Sequence, residues 1–378
     1  MGNVIEMATD DTTVGSRPMS GPAPIVIMAG GTGGHVFPAL AVAEQLRSQG
    51  VPVIWMGTHR GLEATLVPQA GIPMEWIGVA GLRGHGLWRR VTAPVMLTQA
   101  LLQAGGILRR LRPRLVLGMG GFASGPGGLM ARLLGIPLVV HEQNALAGMT
   151  NRWLARLASR VLEAFPGSFP PPRRALAVGN PVRASIAALP EPAQRFAGRS
   201  GRSRLLVVGG SQGALALNQL VPAALALVPA AERPEVRHQA GGALQAVAER
   251  AYQDAGVTVQ LHPFIEDMAA AYGWADLVLC RAGALTVAEL AAAGVGSILV
   301  PFPYAVDDHQ TANARFLERA GAASIAPQAE LTPARLAGLL QPLLSDRSRL
   351  LAMAQAARGL ARADAAAQVA RICLELAR

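Results

Sequence analysis

The chain has 378 residues, 51% of them apolar and 15% charged, with only two cysteines. At roughly 100–200 residues per domain that length suggests two domains, and the composition excludes intrinsic disorder and a disulfide framework. The formal net charge is +10, carried by arginine alone because no lysine occurs. Residues 25–180 hold 15 Arg against five acids, whereas residues 181–378 hold 18 against 16. This asymmetry points to an anionic partner of the first half, such as nucleic acid, lipid headgroups or a phosphorylated substrate. A base-composition bias would explain the missing lysines but not the uneven spread of the arginines.

Residues 1–24 carry Glu6, Asp10 and Asp11 and no apolar core, and read as a flexible tail, not a signal peptide. Ile25–Met28, closed by Gly30 and Gly31, predicts a buried parallel strand. GGTGGH (30–35) follows, and then helical spacing of Val36, Ala39, Leu40, Ala43 and Leu46 up to Gly50. Further strands are predicted at Val53–Met56, Leu115–Gly118 and Leu138–His141. Between them Val95–Leu108 comes nearest to a membrane span, but Thr98, Gln99, Gln103 and Gly105-Gly106 interrupt it. Arg152, Arg156 and Arg160, at i, i+4 and i+8, predict one helix face, either solvated or ligand-binding. GNPVR (179–183) and residues 190–202, rich in Pro, Gly and charge, predict a hinge.

Residues 203–222 repeat the opening plan, with a strand at Leu205–Val208, a glycine loop at Gly209–Gly213 and a helix from Ala214. Strands at Leu277–Cys280 and Ser297–Val300 continue the alternation. The class is therefore α/β, with two doubly wound parallel-sheet (Rossmann-like) domains, 25–180 and 181–357, facing across a cleft at the carboxyl ends of their sheets.

Three glycine loops, 30–34, 118–128 and 209–213, follow predicted strands. Backbone N–H groups in such loops, with a helix N-terminus behind them, can surround a phosphate, although each loop also reads as a tight turn. None is a Walker loop. Thr286 is expected to cap a helix beginning near Val287 and to offer its hydroxyl to a phosphate. Glu289, one turn in, either accepts from ribose hydroxyls or stabilises the helix dipole. The polar run 307–313 suits sugar hydroxyls. His35 closes the first loop and is either structural or a general base. No Asp-x-Asp and no clustered His/Cys spacing occurs, so no metal site is expected. Leu82, Arg83, Leu87, Trp88, Arg89 and Arg90 mix apolar anchors with cations, as an interfacial lipid patch or a solvated loop does. An aromatic content of 4% and the absence of a recognised motif argue against nucleic acid.

In order along the chain stand GGTGGH, GGFASGP, HEQN with the following TNRWLA, GNPVR, GGSQGA, RAGALTVAE and DDHQTANA. From about Ile25 to the C-terminus this set resembles the MurG family, the peripheral membrane N-acetylglucosaminyltransferases of bacterial peptidoglycan synthesis. The resemblance implies a GT-B architecture, with a C-terminal helix near 358–378 packing back on the first domain. It implies UDP-N-acetylglucosamine as donor and lipid I, undecaprenyl-diphospho-N-acetylmuramoyl-pentapeptide, as acceptor. Lipid II is then the product, formed with inversion and without a cofactor or metal at the cytoplasmic face of the plasma membrane.

Matched motif by motif, the implied donor contacts are Thr32, Gly33, Gly34, Asn144, Arg183, Ser211, Ile265, Ala284, Leu285, Thr286, Val287, Ala288, Glu289 and Gln310. Among them Ile265 resembles the backbone contact to uracil and Glu289 the ribose partner, with Ser211 and Thr286 facing the diphosphate and Gln310 the sugar hydroxyls. The acceptor diphosphate is expected near Gly33, Gly120, Gly121 and Ser124, the membrane patch at Leu82–Arg90, and the general base at His35. The acidic tail is extra, and Ala282 and Ala288 stand where Ser is frequent. Three other readings compete: another GT-B enzyme with a lipid acceptor, such as a diacylglycerol glycosyltransferase; a non-catalytic UDP-sugar sensor; and a nucleic-acid-binding protein.

Overall fold

The computed structural model describes residues 22–78, 87–210, 212–304 and 308–377, with 87–93 described by backbone alone. In the first half β1 (Ile25–Met28), α1 (Gly33–Ser48), β2 (Val53–Gly57), α2 (Glu63–Gln69) and β3 (Met74–Trp76) run out to one sheet edge. The long α3 (Leu87–Leu111) returns the chain to the centre. There β4 (Leu115–Gly118), α4 (Ser124–Leu133), β5 (Leu138–Glu142), α5 (Met149–Leu154), β6 (Arg160–Glu163) and β7 (Leu176–Ala177) build the other edge. All strands pair in parallel, in the order β3-β2-β1-β4-β5-β6-β7.

The strands are apolar on both faces because helices cover both. Ile25 and Ile27 pack with Val36, Ala39 and Val42 of α1, while Val26 and Met28 pack with Ala104 and Leu108 of α3 and Ala131 of α4. All of these are buried.

Two short helices, α6 (Ala184–Ala187) and α7 (Pro192–Phe196), lead into the second half. It contains β8 (Arg204–Val208), α8 (Leu215–Ala226), β9 (Glu235–Gln239), α9 (Gln245–Asp254), β10 (Gln260–His262), α10 (Met268–Trp274), β11 (Leu277–Cys280), α11 (Ala284–Ala293), β12 (Gly296–Leu299), α12 (His309–Glu318) and β13 (Ala323–Ile325). This second parallel sheet has the order β10-β9-β8-β11-β12-β13. In each sheet the strand order reverses beside its first strand, between β1 and β4 and between β8 and β11. Crevices at such reversals take ligands in open α/β sheets, and the three glycine loops follow β1, β4 and β8 there.

After α13 (Pro333–Leu344) and α14 (Arg347–Gly359), the chain crosses back as α15 (Ala365–Leu376). Val369, Ala370, Ile372 and Cys373 of α15 complete the first-domain core beside Ile25 and Ile27, whereas Leu350, Met353 and Ala354 of α14 remain in the second-domain core. The crossing therefore begins after Gly359, and the last turn of α14 does not take part in it.

Two expectations are corrected. Residues 190–202 do not form a free hinge: Phe196 is buried in the second core, Arg195 donates to the Ala293 carbonyl at 2.7 Å, and Arg199 pairs with buried Asp276. The segment reads as a linker by composition, but Arg195 and Arg199 satisfy the carbonyls at the ends of α10 and α11. Arg152, Arg156 and Arg160 do not share a helix face, because α5 ends at Leu154 and Arg160 opens β6. Arg156 instead lies over the ring of Trp153, 4.3 Å from its centroid. Among the described residues no helix is long and apolar enough to cross a membrane.

Candidate active site

The loops at both sheet reversals open on one cleft of about 570 Å³, of a size that suits a drug- or nucleotide-sized ligand. Its first-domain wall is Thr32, Gly33, Gly34, His35, Phe37, Leu62, Gln143 and Asn144. The second domain contributes, among others, Gly210, Gln239, Phe264, Ile265, Tyr272, Gly283, Ala284, Leu285, Thr286, Glu289, His309 and Gln310, and Arg183 lies between the two.

Two helix N-termini face this space. α1 is entered through Thr32 in an extended conformation, and its first bonds run from His35 and Val36 to the Thr32 carbonyl, at 3.1 and 3.2 Å. That leaves Gly33 and Gly34 with amides that have no intrahelical acceptor. α11 begins at Ala284, earlier than expected, because Gly283 takes the extended capping conformation and Val287 N–H already bonds the Gly283 carbonyl at 2.9 Å. Thr286 is thus the third residue of the helix and not its cap. The amides of Ala284, Leu285 and Thr286 are the donors left over. The same shift puts Glu289 beyond the first turn, where a helix-dipole role is spent.

Glu289 is 4% exposed and accepts from Arg183 Nη2 at 2.8 Å and from the Tyr272 hydroxyl at 3.1 Å. Burial pushes its carboxyl pKa up, opposed by the charge of Arg183 and by these two hydrogen bonds. The Arg183 guanidinium also lies over the ring of Phe37, 5.4 Å from its centroid, so it touches both domains at the cleft floor. Gln310 Oε1 accepts the Phe302 N–H at 2.9 Å, which turns its donor N–H₂ to other partners.

The residues of HEQN are divided between the cleft and its scaffold. Glu142 is buried and holds the following loop by accepting from Asn144 N–H, Gly148 N–H and the Asn151 amide at 2.9, 3.0 and 2.9 Å. Gln143 Oε1 lies 2.7 Å from His35 Nδ1. Asn144 meets Asn313 of the second domain at 3.4 Å, and Asn313 Oδ1 accepts Ala145 N–H at 2.8 Å while its Nδ2 donates to the Ala282 carbonyl. Asn313 is fully buried and clasps the two domains beside the cleft.

Several expected contacts lie elsewhere. Val287 is wholly in the second-domain core, and Ala288 faces a small void beside Asn180 and Phe316. The Ser124 hydroxyl is buried and donates to the carbonyls of Met28 and Gly120, so it is committed to holding its own loop. Gly120 and Gly121 have φ of +96° and +83°, and a Cβ on Gly121 would stand 2.4 Å from the Gly30 carbonyl. This third loop therefore braces the first from behind. Ser211, Leu82 and Arg83 lie outside the described residues, as do the side chains of Leu87, Trp88, Arg89 and Arg90. Sequence reasoning missed Phe37, Gln239 and Tyr272, and it quoted Asn313 only within a polar run. Among the described residues no three His, Cys, Asp or Glu side chains gather as a metal site.

The chain matches the N-terminal domain of glycosyltransferase family 28 over residues 25–163 and the C-terminal domain of that family over 204–369. It is 63% identical, over 94% of its length and 99% of the relative's, to a UDP-N-acetylglucosamine--N-acetylmuramyl-(pentapeptide) pyrophosphoryl-undecaprenol N-acetylglucosamine transferase of Alkalilimnicola ehrlichii. A protein of the same name from Nitrosococcus oceani is 60% identical over 93% of this chain and 98% of its own. Among solved structures, Acinetobacter baumannii MurG superposes with a TM-score of 0.81 at 44% identity, covering 94% of this chain and all of that one. With two parallel-sheet α/β domains in the GT-B arrangement around a shared cleft, the chain belongs to the MurG enzymes of glycosyltransferase family 28.

Proposed function

We propose that the protein transfers N-acetylglucosamine from UDP-N-acetylglucosamine to the 4-hydroxyl of the muramoyl unit of lipid I, giving lipid II for peptidoglycan. The observation that carries the reading is one cleft lined by residues of GGTGGH, HEQN, GNPVR, GGSQGA, RAGALTVAE and DDHQTANA from both domains, in a chain 63% identical over 94% of its length to a transferase named for this reaction. The donor diphosphate lies at the α11 amides of Ala284, Leu285 and Thr286 and at the glycine loop that follows β8. Uracil meets the Ile265 backbone, the ribose hydroxyls meet Glu289, and the sugar hydroxyls meet Asn144 and Gln310. The acceptor approaches the amides of Gly33 and Gly34.

The muramoyl hydroxyl attacks the anomeric carbon in line, its proton passing to His35 as the C–O bond to UDP breaks. Negative charge developing on UDP is met by fixed N–H dipoles and by Arg183, with no metal needed. What supports this metal-free reading is that the described cleft residues supply their own positive ends, the free amides at the start of α1 and α11 and the Arg183 guanidinium. Closure of the two domains excludes water from the donor.

The enzyme works at an anionic membrane surface as a peripheral protein, and the first domain gives this support. Val95 and Leu102 of α3, Leu133 of α4, and Met149 and Trp153 of α5 are exposed large apolar residues on helices that pack side by side. They lie on the domain that carries the arginine excess.

Transfer of labelled N-acetylglucosamine to a short-chain lipid I analogue, with and without EDTA, tests the assignment. Lipid II analogue formed equally in EDTA is the expected result. Donor binding without product would sink the acceptor assignment, and product lost in EDTA would sink the metal-free mechanism.

A further inference from the structure

His35 Nδ1 lies 2.7 Å from Gln143 Oε1; Gln143 Nε2 lies 3.0 Å from His141 Nδ1 and 3.1 Å from the His141 carbonyl; His141 Nε2 lies 3.0 Å from the Gly179 carbonyl. Two of these contacts end on main-chain carbonyls, which only accept. The Gly179 carbonyl requires a proton on His141 Nε2, so a neutral His141 presents a lone pair at Nδ1. The His141 carbonyl requires the N–H₂ of Gln143 on its side, and that N–H₂ also serves the His141 lone pair. Gln143 is thereby left with its oxygen toward His35. An amide oxygen only accepts, so His35 must carry its proton on Nδ1, and its lone pair falls on Nε2.

We propose that Gln143 and His141 are positioning residues that lock His35 in the Nδ1–H tautomer, with Nε2 as the basic atom. The proposal rests on the reading of His35 as the general base. In the reaction the acceptor hydroxyl gives its proton to Nε2, the new glycosidic C–O bond forms, and the electrons of the broken bond leave with UDP. Nδ1–H stays on Gln143 throughout. The amide passes no proton onward, so it orients the ring and does not relay charge.

Three further observations agree. Gln143 is 1% exposed and His141 fully buried, so water does not compete for the network. Burial lowers the His141 pKa to about 4, which keeps its Nδ1 unprotonated near neutral pH and able to accept. The His35 ring is packed against Gly120, where a Cβ would stand 2.7 Å from Nδ1. GGTGGH, GGFASGP, HEQN and GNPVR thus each supply one part of a single device: the base, the space for its ring, the two orienting side chains, and the terminal carbonyl.

The test is two-bond ¹H–¹⁵N correlation spectroscopy of the protein labelled in its seven histidines, with His35 assigned from its loss in His35→Gln. In the wild type His35 is expected as the Nδ1–H tautomer and His141 as Nε2–H; His35 as Nε2–H would overturn the proposal without any variant having to fold. In Gln143→Met, which keeps the bulk but loses both amide functions, the His35 signals should move to the Nε2–H pattern. Turnover should fall roughly tenfold or more while the donor KM stays within about twofold. A shifted tautomer with unchanged turnover overturns the positioning role. Turnover of His35→Ala, measured alongside, separates the causes. If it too is unchanged, the base reading has failed; if it collapses, only the tautomer argument has.

Discussion

Glu63 accepts the Gly31 N–H at 2.9 Å and the Thr58 hydroxyl and N–H at 2.8 and 3.2 Å, and it is fully buried behind the first glycine loop. A Cβ on Gly30, Gly57 or Gly61 would collide with its side chain at 2.5, 2.9 and 1.8 Å, so these three glycines make the space the carboxylate occupies. Glu63→Ala leaves several donors near the loop unsatisfied and should cost about 3 kcal/mol of stability, with Glu63→Gln recovering part of it. Urea unfolding of the three proteins decides this; an Ala variant within about 0.5 kcal/mol of wild type would show that the loop does not depend on the carboxylate. In the sequence Glu63 reads only as one of five acids in a basic half. Its glycine partners lie six or more positions upstream on another strand end, or inside an unremarkable turn, and only folding gathers them. Glu289 was legible as a site residue because it lies in one continuous motif, but its tie to Arg183 joins positions 106 residues apart, and its tie to Tyr272 crosses from α10 to α11.

The strands were legible because runs such as IVIM and LVVHE are buried on both faces by the helices that parallel crossovers require. Helix starts were less so. Thr286 has the chemistry of a cap, yet Gly283 fills that role by backbone conformation alone, and a bare glycine gives little sequence sign of it. The functional result is a ring of amides on α11 with no capping side chain in front of them. Ala284→Pro isolates one of these donors. Gly283 has φ −62° and ψ 144°, compatible with a following proline, and proline is tolerated as the first helical residue. Folding stability should stay within about 1 kcal/mol of wild type, while affinity for UDP falls roughly tenfold through loss of one charge-assisted hydrogen bond. Calorimetric titration with UDP reads this directly. Unchanged affinity in a folded variant would move the diphosphate away from α11.

The two domains share one chain end, because α15 closes the first core while α14 stays in the second, and Asn313 and Arg183 bridge them at the cleft. Each domain also buries a neutral histidine: His141 at the end of β5 and His238 in β9, the latter with its Nδ1 3.0 Å from the Tyr252 hydroxyl. Burial lowers both from 6.5 to about 4. An unfolded chain protonates these imidazoles as the pH drops through 6.5, and the native protein resists until about 4, so unfolding takes up protons across that window. Their contribution to stability is fully present above pH 6.5 and is lost on acidification, amounting to about 3 kcal/mol for each histidine over the whole window. Glu289, whose pKa is raised, acts in the opposite sense and offsets part of the loss near the carboxylate range. Urea unfolding at pH 8, 6 and 5 should therefore show a steady decline below pH 6.5 in the wild type. His238→Gln, which leaves the active-site network untouched, should show a clearly shallower decline. Equal slopes in the two proteins would mean that His238 is not held neutral by its burial. A flat wild-type profile would remove the same claim for His141, and with it the lone pair to which Gln143 donates.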